Sequence, residues 1–141
     1  METLTKVYCD LQSENILLFD HEIESHIATT LNIKNDYAIF IDYKKLQTLD
    51  KEFLAVVHEM GHCMSGTTHK VISPFDLVEK HDYLANKYSV HKYLPLETLN
   101  NAIKNGYTEY WELSEYFDLP ENFIKLSVNI YKQEGFDLFQ L

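Results

Sequence analysis

Between Asp50 and Ser65 the apolar residues Phe53, Leu54, Val57, Met60 and Met64 fall on one helical stripe, and within it stands His58-Glu59-Met60-Gly61-His62. A His-Glu-x-x-His run on a helix constrains the chain more than any other feature. Spacing of i, i+4 puts both imidazoles on one face, about one turn apart, where both reach a single tetrahedral zinc ion. Glu59 stands beside that ion and can take a proton from a water whose pKa the metal lowers to roughly 7. Asp50 is the expected N-cap and Gly66 the expected stop. The plain alternative is an ordinary amphipathic helix with two His and a Glu facing solvent.

A catalytic zinc site usually has three protein ligands and one open position, so the reading depends on a third donor. A Gly and a third His at fixed spacing after His62 would fall on Ser65 and Thr68, whereas Gly66 and His69 each come one residue late. The other source is a carboxylate from the next helix, where Glu79, His81 and Asp82 are the candidates. Asp82 and Asn86 share one face at i, i+4, with the small Ala85 beside them to let this helix pack closely on the first. Asn86 is then placed to accept the remaining ring N–H of His58 and fix its tautomer. Glu79 lies one turn earlier on nearly the same face and is the alternative metal ligand; His81 points about 100° away.

The chain around this helix reads as α+β. Leu4, Val7, Tyr8 and Leu11 mark a first helix that stops near Asn15; three short strands follow at 16–19, 27–33 and 37–43, with Asn35-Asp36 as a hairpin turn. Ser73-Pro74-Phe75-Asp76 opens a helix running to about Tyr93, before Pro95. Asn105-Gly106 marks a turn, 109–117 a helix, and Leu119-Pro120-Glu121 the start of a last one ending near Gly135. At 141 residues with no composition break, one domain spanning 1–141 is expected, with 107–135 as a C-terminal helical hairpin.

Composition narrows the function. With 22 acidic and 12 basic residues the formal net charge is −10, and no basic patch opposes it, so direct nucleic-acid binding is not expected. No stretch approaches the roughly 20 apolar residues of a membrane span, and the opening residues lack the basic and apolar regions of an export signal. Cys9 and Cys63 then read as reduced thiols in a cytoplasmic protein, Cys63 as a buried small hydrophobe.

His58-Glu59-Met60-Gly61-His62, followed by Asp82-Tyr83-Leu84-Ala85-Asn86-Lys87-Tyr88 and Leu94-Pro95, resembles the ImmA/IrrE family of metallopeptidases, over roughly Tyr37 to Pro95. The family pattern is Glu-x-x-Ala-Asn-x-Phe, so its ligand Glu is matched here by Asp82, one methylene shorter. The resemblance implies a minimal zincin fold, a short three-stranded sheet packed on the zinc helix, and a cytoplasmic zinc endopeptidase that cuts a helix-turn-helix repressor. In that reading strand 37–43 is an edge that binds an extended substrate by β-augmentation, and Tyr43, Tyr83, Tyr88 or His69 would steady the oxyanion. The rival expectation is a non-catalytic module of the same fold that acts as an anti-repressor by sequestration.

Residues 111–124 have the outline of a DNA-binding helix-turn-helix. Glu109, Glu112, Glu115, Asp118 and Glu121 precede the first Lys at 125, so phosphate contact would be repulsive. A hairpin packed on the core or a docking surface for a substrate is expected instead. The aromatic residues there, Tyr107, Tyr110, Trp111, Tyr116, Phe117 and Phe123, read mainly as core.

Overall fold

A computed structural model describes residues 1–68 and 75–139. The architecture is α+β, as the sequence pattern implies. In chain order the elements are α1 (Glu2–Ser13), β1 (Leu17–Asp20), β2 (Ala28–Ile33), β3 (Asp36–Ile41), α2 (Leu49–Ser65), α3 (Phe75–Tyr93), α4 (Leu96–Lys104), α5 (Tyr110–Phe117) and α6 (Glu121–Gln133). A short 3₁₀ turn, Tyr43–Lys45, links β3 to α2.

The sheet is mixed, in the order β1-β3-β2. β1 pairs parallel to β3, with Leu18 opposite Ile39, and β2 pairs antiparallel to it, with Thr30 opposite Ile39. Strand 37–43 is therefore central, which corrects the expectation that it forms the substrate-binding edge. Its run of Ala38, Ile39 and Ile41, all buried, suits a strand bonded on both sides. The outer edge next to α2 belongs to β2. Ile33 opposes Asp36, so the hairpin turns on Lys34-Asn35, one residue before the expected pair, with Lys34 in the left-handed region at φ 59°.

Helix α2 is capped two residues earlier than expected, by Thr48 and not Asp50: the Thr48 hydroxyl accepts from the Lys51 amide, and Gly66 ends the helix at φ 69°. One face of α2 buries Phe53, Val56, Val57 and Met60 against the sheet and the other helices, each large apolar side chain contributing about 1.5–3 kcal/mol on burial. The side adjoining Val57 packs on α3. A Cβ at Gly61 would collide with the Ala85 carbonyl, so glycine at 61 and alanine at 85 let the two helices approach as closely as they do. Ser89 Oγ donates to the Val57 carbonyl at 2.6 Å across the same contact.

Helix α3 ends at Tyr93, as expected; its expected start at Ser73-Pro74 lies outside the described residues. Helix α4 is additional to the expected elements: Pro95 serves as its N-cap residue, and Leu99, Ala102 and Ile103 are buried. α5 and α6 form the C-terminal hairpin, with a Glu109/Glu112 capping box at the start of α5. Asp118, left-handed at φ 53°, ends α5. The Asp118 carboxylate accepts from the Glu2 amide at 3.0 Å and its carbonyl from the Thr3 hydroxyl, which fastens the first turn of α1 to the α5–α6 corner.

Candidate metal centre

His58 and His62 project from α2, and Asp82 meets them from α3. The Nε2 atoms of the two histidines lie 3.0 Å apart, and Asp82 Oδ1 stands 3.0 Å from His62 Nε2 and 3.3 Å from His58 Nε2. Donors bound at about 2.0–2.1 Å in a tetrahedral arrangement are about 3.3 Å from one another, so this triangle is close to one face of such a tetrahedron. Three donors of the kind that hold divalent cations thus converge, and His58, His62 and Asp82 could hold a metal ion.

Each imidazole is oriented through its other nitrogen. Asn86 Oδ1 lies 2.9 Å from His58 Nδ1, the contact expected from the i, i+4 placement of Asp82 and Asn86. A proton on Nδ1 donated to that oxygen leaves Nε2 as the lone-pair nitrogen. His62 Nδ1 is set in the same way by the Thr67 carbonyl at 2.9 Å. The left-handed Gly66 turns the chain so that the Thr67 amide caps the His62 carbonyl while the Thr67 carbonyl returns to the ring. His62 is buried, while Asp82 and His58 keep 42% and 31% of their side-chain surface, so the triangle is open on one side.

Glu59 sits beside this opening, buried, with Thr30 Oγ1 of β2 donating to its Oε2. Its carboxyl is pushed above the usual carboxylate range, chiefly by burial; the Thr30 hydroxyl and His58 pull it down, Asp82 raises it and His26 lowers it slightly. Among the other candidates, Glu79 is exposed on α3 and is not one of the converging donors, nor is His81. His69 lies outside the described residues. Cys63 is buried, its thiol pushed up to about 12 chiefly by burial, as befits a packed side chain and not a ligand.

Two cavities meet at His26, His58 and Glu59. One, of about 230 Å³, lies over the triangle between β2 and α3 and is lined by Thr29, Thr30, His62 and Asp82 among others. The second, of about 720 Å³, runs between the 25–28 segment, α2 and α6, with Ile27, Leu54, Val57, Phe123 and Leu126 in its walls. Tyr43, Tyr83 and Tyr88 line neither cavity. The Tyr43 hydroxyl is bonded to Tyr8, which bonds Glu52 in turn. His26, which no pattern in the sequence singles out, lines both. Its segment is held from below: Lys45 Nζ donates to the carbonyls of Ile23, Glu24 and His26, and Asp42 accepts from the Ile23 amide at 3.1 Å.

In comparison with known proteins, no family model, curated protein or solved structure matches the chain. Among the described residues, no helix is long and apolar enough to cross a membrane.

Proposed function

We propose that the protein is a zinc-dependent endopeptidase of the ImmA/IrrE kind, acting in the cytoplasm on a helix-turn-helix repressor. The observation that carries the reading is the position of Glu59: a buried carboxyl with raised proton affinity, beside the open side of a His58–His62–Asp82 triangle and under an edge strand. Two imidazoles and one carboxylate suit zinc, which when bound would acidify a water and polarise a peptide carbonyl.

The chain's own residues supply the rest. An extended substrate segment adds to the outer edge of β2, which brings its backbone past Thr30 and across the triangle. Thr30 occupies Glu59 Oε2, so Oε1 takes the proton of the attacking water and later delivers it to the leaving amine. A base whose pKa lies above that of an ordinary carboxylate is better matched to that double task near neutral pH. To His26, which lines both cavities and whose backbone carbonyl Lys45 holds, we assign donation to the oxygen that gains charge. The larger cavity takes apolar substrate side chains beside the cut.

The test is to incubate zinc-loaded protein with a panel of helix-turn-helix repressors and identify new N-termini by mass spectrometry. One cut by the native chain, and none by a Glu59→Gln variant that still binds zinc and repressor, is the expected result. A Glu59→Gln variant that relieves repression as well as the native chain would replace cleavage by sequestration.

A further inference from the structure

The C-terminal hairpin presents aromatic rings where an isolated domain has no use for them. Trp111 and Tyr116 on α5 retain 57% and 54% of their surface, although Leu113 between them is fully buried and Phe123 of α6 is too. The rings are not scattered: Tyr107 and Tyr116 lie with centroids 4.6 Å apart, and with Trp111, Glu112 and Glu115 they enclose a cleft of about 300 Å³. None of the five residues around this cleft lines either cavity at the metal centre.

The acids of this region divide by task. Glu109 and Glu112 form the capping box of α5, Asp118 holds α1, and Glu121 pairs with Lys125 at 3.6 Å. Glu115 is exposed at the cleft and pairs with no cation among the described residues. A cleft with π-faces for walls and a carboxylate at the rim, on a chain of net charge −10, is complementary to a cation. Exposed aromatic surface of this kind, rimmed by charge, is a common mark of protein docking.

We propose that this cleft is a docking site for an Arg or Lys side chain on a basic partner protein, its apolar stem against Tyr107 and Tyr116 and its charged head between Trp111 and Glu115. The site is independent of the metal centre. If the cleavage reading holds, it is where a DNA-binding substrate, with its positive surface, would be gripped away from the cut.

Trp111 is the chain's single tryptophan, so its emission reports on this cleft alone. The test titrates the intact protein with a short acetylated peptide of alternating Arg and Ser, against the same peptide with Glu for Arg. The Arg peptide should change Trp111 emission, in a manner weakened by salt, and the Glu peptide should not. By calorimetry, Trp111→Ala and Tyr116→Ala should each weaken the Arg peptide about 3- to 30-fold, and Glu115→Gln a few-fold, with circular dichroism unchanged because all three side chains are exposed. Equal affinity in Trp111→Ala would show that net charge alone attracts the peptide and would overturn the site. Tetramethylammonium binding as tightly as the peptide would overturn the protein partner in favour of a free cation. Glu59→Gln should bind the peptide unchanged, which separates failure here from failure of the cleavage reading.

Discussion

Asp82 departs by one methylene from the Glu of the pattern the sequence resembles, and its carboxylate nonetheless stands within 3.3 Å of both imidazole Nε2 atoms. The shorter side chain reaches because α2 and α3 are close, so ligand length and helix spacing are coupled. Zinc loss in a chelator titration should be greatest for Asp82→Ala, intermediate for Asn86→Ala, at about 10- to 100-fold as for a group that orients a ligand, and least for the exposed Glu79→Ala. Glu79→Ala worse than Asp82→Ala would move the ligand back one turn. Cys63 provides a second check at this scale. Burial moves its thiol from 9.0 to about 12, so the folded state loses stability relative to the unfolded as pH rises across that window, and little thiolate exists below it. A thiol reagent at pH 8 should therefore label the exposed Cys9 promptly and Cys63 only after denaturant is added; two fast thiols would contradict the packing of α2. The pattern His-Glu-x-x-His made His58, Glu59 and His62 legible because helical spacing is a local property. His26 was not, since it comes to Glu59 through tertiary placement of a loop, and no spacing rule connects the two.

Helices were easier to read than strand order. The apolar stripe and the Gly66 stop locate the end of α2 where expected and its N-cap to within two residues, because period and cap chemistry are written locally. Which strand lies in the middle depends on pairing between distant segments, and alternation carries no such information, so the pattern of 37–43 suits an edge and a central strand alike. α4 is hidden in the sequence because Pro95 marks the end of α3 and equally serves at the start of the helix that follows. The close α2–α3 contact carries the sharpest prediction here. Gly61→Ala sets a methyl against the backbone of α3, which cannot swing aside as a side chain would, so the helices must part. The expected cost is about 1–3 kcal/mol, read by denaturant unfolding, with metal affinity falling too because Asp82 retreats. Unchanged affinity would show that the donor triangle does not depend on this spacing.

At the scale of the molecule, most of the buried apolar residues among those described join in a continuous cluster, from Leu4 and Val7 of α1 through Phe53 and Met60 of α2 to Ile124, Val128 and Tyr131 of α6. Since the donors come from two helices of that cluster, a bound ion should stabilise the fold as a whole. Zinc at about 100 times its Kd contributes roughly 2.7 kcal/mol by mass action. A chelator should therefore lower Tm by several degrees and added zinc restore it, in the native chain but not in His58→Ala. A Tm indifferent to zinc would mean that the histidines hold no ion.

The bond from Asp118 to the first turn of α1 has a consequence in time. During synthesis α1 is made before α2, yet the carboxylate that takes the Glu2 amide lies 116 residues downstream. At about 5–20 residues per second, roughly ten seconds pass before Asp118 exists as a partner. In that interval α2, with its histidines, can already be sheltered by the sheet, while α1 must wait with its first turn uncapped. Helix α1 is thus fastened out of its order of synthesis, by a corner that emerges only after the helix bearing His58 and His62.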